Sequence, residues 1–282
     1  MPSGFAGLQR ADTTEPAPAR LCPVCSREAG ARIGMLSNTK IAPLVRTEYE
    51  LLHCRQCDVV YQSPLPSERD LKVLYVDELQ FDYHTEDDSQ RIVEFMTGRL
   101  RDLLKRIGSP AAPAVLEIGA GPAWMARAAK TLLPRCVTVA QDVTKEVAGQ
   151  CPWVDHYVVA FTDSPEIDAH APYDVVSMTH VIEHVTDPLA LLRRLRPLTR
   201  GAVFITAPHR PTAWNGTIES WRKYSYNHVP AHLQFFSERG MRLLAQASGF
   251  AVGHWDSSSE EGQSFEAWLL PAGGPSARPP AH

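Results

Sequence analysis

Two glycines follow an apolar run that ends in an acidic residue, and this is the most informative chemical pattern in the chain. Glu117 closes the run, Gly119 and Gly121 follow, and Pro122 opens a helical pattern. This order predicts a buried strand, a tight turn and a helix N-terminus, which together let backbone approach a nucleotide-like ligand. The third glycine of a dinucleotide fingerprint is missing, with Ala123 in its place. Glu117 favours a positively charged ligand over a pyrophosphate.

Asp142 ends the next predicted strand, about twenty residues after Gly121. That separation is typical of one strand–helix–strand unit whose acidic residue binds ribose hydroxyls. The alternative is an ordinary loop carboxylate.

Four cysteines form two CxxC pairs, Cys22 with Cys25 and Cys54 with Cys57. Each CxxC turn offers two thiolates on one side of a bend, so two such turns can complete a tetrahedral zinc site. The alternatives are disulfides or a redox pair. We expect structural zinc, because a chain with no signal-peptide pattern is expected in the cytoplasm, where stable disulfides are rare.

His180, Glu183 and His184 are spaced so that a helical turn would place all three on one face. A histidine there could act as a general base, or histidine and glutamate together could hold a divalent metal. A purely structural role for Glu183 and His184 is the third interpretation. Further histidines, including His209 and His232, lie in an aromatic-rich stretch downstream.

Strand and helix patterns alternate along the rest of the chain, which predicts a parallel sheet with helices on both faces. Asp187 and Ser237 are predicted helix caps. The expected strands lie near 114–118, 136–140, 156–160, 173–178, 202–206, 250–255 and 264–270, and the expected helices near 90–107, 122–133, 188–196 and 237–247.

Composition is ordinary for a globular protein, with 44% hydrophobic and 21% charged residues and a formal net charge of −4. This charge disfavours a broad basic surface for nucleic acid, and no apolar run is long enough to span a membrane. The expected organisation is a disordered N-terminus (1–20), a zinc-ribbon head (21–68), a helical connector (69–112), a main domain (113–270) and a disordered tail (271–282).

From about residue 90 to 270 the chain resembles the class I S-adenosylmethionine (SAM) methyltransferases. The resemblance is carried by LEIGAG at 116–121, by Asp142, and by the segments 173–188, 201–208 and 232–237, which occur in the family's order. It implies an α/β fold, a Rossmann-like sheet of seven mostly parallel strands, here preceded by a small N-terminal zinc ribbon. Ala123 is a departure, because the family usually has glycine there.

The resemblance also implies roles for individual residues. The methionine end of SAM would be lined by Glu117, Gly119 and Gly121, and the ribose hydroxyls would bind Asp142. Asp163 is the candidate for the adenine amine. The residues expected to bind the cofactor are therefore Glu117, Gly119, Gly121, Asp142, Asp163 and His180.

The candidates for a catalytic base are His180, His209 and His232. Some relatives that methylate small RNAs or ubiquinone precursors bind magnesium through a Glu-x-x-Glu-His motif at this place. In this chain His180 replaces the first glutamate, so Mg²⁺ is the less favoured alternative to a histidine base.

The resemblance implies methyl transfer to a small molecule, such as a sugar nucleotide or a natural-product intermediate. O- or N-methylation is favoured over C-methylation, because the large C-terminal domain of sugar C-methyltransferases is missing. An RNA methyltransferase that grips its substrate with the zinc ribbon is the main alternative, although the basic residues of the head are scattered among acids. A non-catalytic scaffold is a second alternative, and a homodimer is left open.

Overall fold

The computed structural model describes residues 19–27, 30–37, 48–77, 86–108, 110–145, 147–257 and 263–273. Most of the two termini that we expected to be disordered, 1–18 and 274–282, lies outside these residues. Two residues correct the edges of those ranges. Arg20 is buried and hydrogen-bonded, and Pro271 is the last residue of a strand.

Within the described residues the chain forms eleven strands and six α-helices. The strands are β1 (Ala31–Ser37), β2 (Glu48–Cys54), β3 (Val59–Ser63), β4 (Ala114–Ile118), β5 (Val137–Asp142), β6 (His156–Val159), β7 (Tyr173–Thr179), β8 (Thr199–Pro208), β9 (Gln234–Phe236), β10 (Phe250–Asp256) and β11 (Ser264–Pro271). The helices are α1 (Glu68–Lys72), α2 (Glu86–Ile107), α3 (Trp124–Leu132), α4 (Pro188–Leu198), α5 (Ile218–Trp221) and α6 (Glu238–Ala247).

The main sheet has seven strands in the order β10-β11-β8-β7-β4-β5-β6. The five strands from β8 to β6 are parallel, and β11 and β10 add antiparallel strands at one edge. The carboxyl ends of β4, β5 and β7 therefore meet at one edge, where open α/β sheets bind ligands. This confirms the predicted fold class.

Both faces of this sheet are covered, as side-chain alternation along β7 shows. Val175 packs into a cluster with Leu100 of α2 and Met125 of α3, whereas its neighbour Val176 packs with Leu192 of α4 on the opposite face. Successive strand residues point to opposite faces, so a sheet with two apolar faces needs helices on both. Each fully buried aliphatic side chain of this kind contributes about 1.5–3 kcal/mol.

Two predicted helix starts are confirmed. The side chain of Asp187 accepts a hydrogen bond from the backbone N–H of Ala190, and that of Ser237 accepts one from Gly240. The two caps fix where α4 and α6 begin beneath the sheet.

A second, antiparallel sheet has the order β1-β2-β3-β9. Three of its strands come from the cysteine-containing head, but β9 comes from a segment that follows the main parallel strands. Strand β9 lies outside the predicted head boundaries of 21–68, which remain a prediction. Local sequence patterns predicted neither β9 nor β1.

No helix among the described residues is long and apolar enough to cross a membrane.

Candidate active site and cysteine cluster

The glycine turn adopts backbone conformations that side chains resist. Gly119 and Gly121 have φ angles of +60° and +47°, and Ala123 has +56°. A Cβ on Gly119 would lie 2.5 Å from a methyl of Val181, so only glycine fits there. The turn that follows β4 therefore packs directly against the segment that follows β7.

Glu117 has a structural role that the sequence analysis missed. Its carboxylate accepts hydrogen bonds from the backbone N–H groups of Met125 (3.2 Å) and Ala126 (2.9 Å), at the start of α3. Burial raises the pKa of Glu117 to about 7, although these two N–H groups favour its charged form. Its contact with a cofactor stays a prediction.

Asp142 is 5% exposed and lies beside the glycine turn. One carboxylate oxygen accepts from the N–H of Gly121 at 2.8 Å, and the other accepts from Thr144 at 2.9 Å. The structure thus brings together the glycine turn and the acidic residue that spacing had linked. Negative charge at this point suits vicinal hydroxyls, which can donate to the remaining lone pairs.

Asp163 is exposed and lies in the loop after β6. Arg194 of α4 holds this loop by donating to the backbone carbonyls of Asp163 and Ser164. Phe161, in the same loop, is 68% exposed at the ligand edge, and the sequence analysis did not single it out. An aromatic residue immediately after a predicted strand was the available signal.

His180, Glu183 and His184 meet as predicted, although they lie on a turn and not on a helix. His180 Nδ1 lies 3.3 Å from Glu183 Oε1, and His184 Nε2 lies 3.8 Å from the same oxygen. Glu183 is fully buried, whereas the His180 side chain is 43% exposed. A buried carboxylate therefore lies within ion-pair distance of a histidine that faces outward.

The charges of this cluster are coupled. Burial opposes the protonation of His180, but the carboxylate of Glu183 outweighs it and raises the pKa of His180 above its ordinary value. Burial likewise opposes the charge of Glu183, but His184 and His180 outweigh it and keep the pKa of Glu183 low. The carboxylate is therefore ionised at neutral pH.

His232 completes the cluster from the aromatic-rich segment. Its Nδ1 lies 2.8 Å from the carbonyl oxygen of Tyr226, and its ring lies 4.9 Å from that of His184. Burial and the neighbouring His184 lower the pKa of His232 to about 3, so it is neutral at physiological pH. One ligand atom each of Glu183, His184 and His232 lie within 4.8 Å of one another, so the cluster could also hold a cation.

His209 takes a different position from the other two base candidates. It is 3% exposed, and its Nδ1 lies 2.6 Å from the carbonyl oxygen of Arg210. Its own carbonyl oxygen accepts from the hydroxyl of Tyr224. These contacts give His209 a place in the packing of the segment that follows β8.

The four predicted zinc ligands come together. The sulfur atoms of Cys22, Cys25, Cys54 and Cys57 lie within 4.8 Å of one another, and Cys25 and Cys54 are 4.0 Å apart. A tetrahedral zinc with Zn–S bonds of about 2.3 Å separates its sulfurs by roughly 3.8 Å. All four cysteines are free thiols, so this donor set fits a zinc ion and not a disulfide pair.

The two knuckles have the same backbone geometry. Ser26, after Cys25, and Asp58, after Cys57, have φ angles of +52° and +56°. The N–H of Ser26 bonds to the carbonyl of Cys22, and that of Asp58 to the carbonyl of Cys54. Each turn thereby aims two sulfurs at one point.

Comparison with known proteins agrees with this fold. A family model described as a methyltransferase domain matches residues 92–254, more than half of the chain. No curated protein sequence matches the chain significantly.

Solved structures resemble the chain at low sequence identity. The Haloferax volcanii complex of the Trm112 methyltransferase activator with its methyltransferase gives a TM-score of 0.51 at 12% identity, covering 66% of this chain and 94% of that chain. Magnesium protoporphyrin IX methyltransferase from Synechocystis PCC 6803 gives 0.48 at 12% identity, covering 66% and 84%. CalO1, a methyltransferase of calicheamicin biosynthesis, gives 0.45 at 19% identity, covering 64% and 55%.

The seven-stranded sheet and the glycine turn beside Asp142 define a class I methyltransferase fold. The chain belongs to the methyltransferase-domain family.

Proposed function

We propose that this methyltransferase uses SAM to methylate an oxygen or nitrogen of a small molecule, and that His180, oriented by Glu183, takes the proton of the acceptor. The observation that carries the proposal is the His180–Glu183 pair, which lies on the segment that packs against the glycine turn. Acceptor chemistry and cofactor binding would thus occur at adjoining points.

The residues at the glycine turn suit SAM. Asp142 offers carboxylate oxygens to ribose hydroxyls, and the bare backbone of Gly121, whose missing Cβ would face open space, leaves room for close approach. We assign Asp163 and Phe161 to the adenine side, because both follow β6, the strand next to Asp142 in the sheet. When bound, SAM supplies a methyl group on a positively charged sulfur.

Among the three base candidates, the geometry favours His180. Its Nδ1 faces Glu183, which leaves Nε2 to accept a proton, and its partly exposed ring can reach an acceptor. His232 has a pKa near 3 and is a weak base. We assign His232 to lining the acceptor pocket, and His209 to packing behind it.

The segment 209–233, which we call the acceptor wall, supports a small acceptor. The ring of Tyr226 lies 6.2 Å from that of His180 and nearly parallel to it, and 6.4 Å from that of His232. Aromatic side chains around a few polar groups are typical of pockets for flat or glycosidic ligands. A nucleotide sugar or a natural-product intermediate fits this description.

The proposed base is tested by the pH dependence of the rate, once label transfer from SAM has identified an acceptor. The neutral form of His180 is the active one, so the wild-type rate should rise with pH through the pKa of His180. Glu183→Gln removes the charge that raises this pKa, so the rise should move to lower pH and the plateau should fall. His156→Gln, at the far edge of the sheet, is the matched control. An unchanged profile in Glu183→Gln and full activity in His180→Gln would refute the base.

Metal chemistry is a distinct outcome of the same assay. If a cation held by Glu183, His184 and His232 activates the acceptor, EDTA should abolish activity and one divalent ion should restore it.

A further inference from the structure

The cysteine head is joined to the acceptor wall by direct hydrogen bonds. Strand β3 pairs with β9, whose first residue lies one position beyond the wall. The backbone N–H of Gln62 donates to the carbonyl oxygen of Leu233 at 3.1 Å, and the Gln62 side-chain amide donates to that of Pro230 at 2.8 Å. These two bonds hold the chain on both sides of His232.

The Gln62 side chain serves this one contact. It is 1% exposed, and its Oε1 has no hydrogen-bond partner among the described residues. A buried amide oxygen without a hydrogen-bond partner costs about 1–3 kcal/mol, so the bond from its nitrogen to Pro230 is the favourable polar contact of this side chain.

An ion pair forms the second connection. Asp58 directly follows Cys57, the last cysteine of the cluster, and its carboxylate lies 3.0 Å from the guanidinium of Arg210. Arg210 is the second residue of the acceptor wall, and its backbone N–H donates to Phe236 of β9. A knuckle of the cysteine cluster is thus tied to the start of the wall.

The head and the wall also share an apolar core. Leu51 and Val60 of the head pack in one cluster with Trp221 of the wall and Phe235 of β9. A Cβ on Gly34 of β1 would lie 2.8 Å from the side chain of Ile218, so the head approaches α5 closely.

The cofactor side is held differently. The hydrogen bonds of Glu117 end on α3, and those of Asp142 end on Gly121 and Thr144. These contacts lie within the main sheet and its own turns. Because these hydrogen bonds do not end on the head, breaking the Asp58 and Gln62 contacts should affect the two halves of the site unequally.

We propose that the cysteine head positions the acceptor wall and His232, and that Asp58 and Gln62 are the positioning residues. This inference rests on the proposed function, because it takes the wall to be the acceptor side of the site. The head then acts on acceptor binding and not on cofactor binding.

The test uses Asp58→Asn and Gln62→Leu in the full-length protein. Asparagine tolerates the left-handed backbone of position 58, and leucine removes the unsatisfied oxygen at position 62, so both variants should fold. Arg32→Gln is the matched control. It breaks an exposed ion pair with Glu50, and this pair lies within the same head and does not involve the wall.

Hydrogen exchange followed by mass spectrometry should show the wall amides exchanging about 3- to 10-fold faster in the two variants, and unchanged in Arg32→Gln. One zinc per chain should remain, and calorimetric SAM affinity should stay within about twofold of wild type. Carbon-13-labelled histidine should show a shifted ring signal for His232, with the signal of His156 unmoved.

Unchanged exchange rates of the wall amides, together with an unmoved ring signal of His232, in both variants would overturn the proposal. A loss of SAM affinity that accompanies faster exchange of the wall amides would also overturn it, because the head would then support the whole domain. A wild-type protein that binds no SAM would refute the proposed function, and the exchange data would still decide the positioning role.

Discussion

Asp142→Asn gives the sharpest test of the cofactor site. Asp142 accepts one backbone N–H on each oxygen, from Gly121 and from Thr144. Asparagine keeps one oxygen and turns an NH₂ group toward the other donor, which leaves a buried N–H unsatisfied at a cost of about 1–3 kcal/mol. The ribose hydroxyls also lose a charged acceptor, worth about 1.5–3 kcal/mol. Since about 1.4 kcal/mol is tenfold in affinity, SAM binding should weaken about 10- to 100-fold.

Asp174→Asn provides a matched control at the opposite end of the sheet. Asp174 is 3% exposed, accepts the N–H of Ala114 at 2.8 Å and pairs with Arg200 at 2.7 Å. Removing the Asp174 charge should lower the free energy of unfolding about as much as Asp142→Asn does. It should leave SAM affinity within about twofold of wild type. Titration calorimetry of both variants decides the matter. Equal SAM affinities in Asp142→Asn and wild type would remove Asp142 from the cofactor site, and equal losses in both variants would show a general effect of stability.

Three further predictions concern the metal, the base and the buried acid. Elemental analysis of reduced, folded protein should find one zinc per chain, and Cys54→Ser should lose it; a metal-free native protein would contradict the zinc head. His180→Gln should lower turnover strongly, as measured by release of S-adenosylhomocysteine, the demethylated cofactor. Calorimetry should show SAM affinity nearly unchanged, and a normal turnover would exclude His180 as the base. Burial raises the pKa of Glu117 from 4.5 to about 7, so its contribution to stability is full below pH 4.5 and is lost as pH rises through 7. Denaturant unfolding of Glu117→Gln should therefore lack a stability loss of roughly 3 kcal/mol that wild type shows over this range, and parallel pH curves would refute it.

The parts of the fold that follow local patterns were predictable from the sequence. Strands β4, β5 and β7 are apolar runs, and Asp187 with Pro188 is a strong helix start. Strand β9 has only three residues and gains its identity from pairing with β3, far away in sequence. Local periodicity carries no information about such a partner.

In the candidate site, too, contacts between residues close in sequence were predictable and contacts between distant segments were not. Spacing alone linked Gly121 to Asp142 and His180 to Glu183, because both links span one structural unit. The bond from Gln62 to Pro230 and the burial of Arg20 depend on how the head docks, which no local pattern encodes. Glu117 is a separate case. Its acidic side chain suggested a cationic ligand, but in the structure it accepts hydrogen bonds from backbone N–H groups of α3.

The proposed reaction of this methyltransferase passes the methyl group of SAM to a small molecule. The most direct measurement incubates purified protein with SAM carrying a deuterated methyl group and a cell extract separated into metabolites and RNA. Mass spectrometry should find the label in a metabolite with wild type, and about 10- to 100-fold less of it with Asp142→Asn at SAM concentrations below the Kd of the variant. Label in the RNA fraction, or in neither fraction while SAM is bound, would contradict the account.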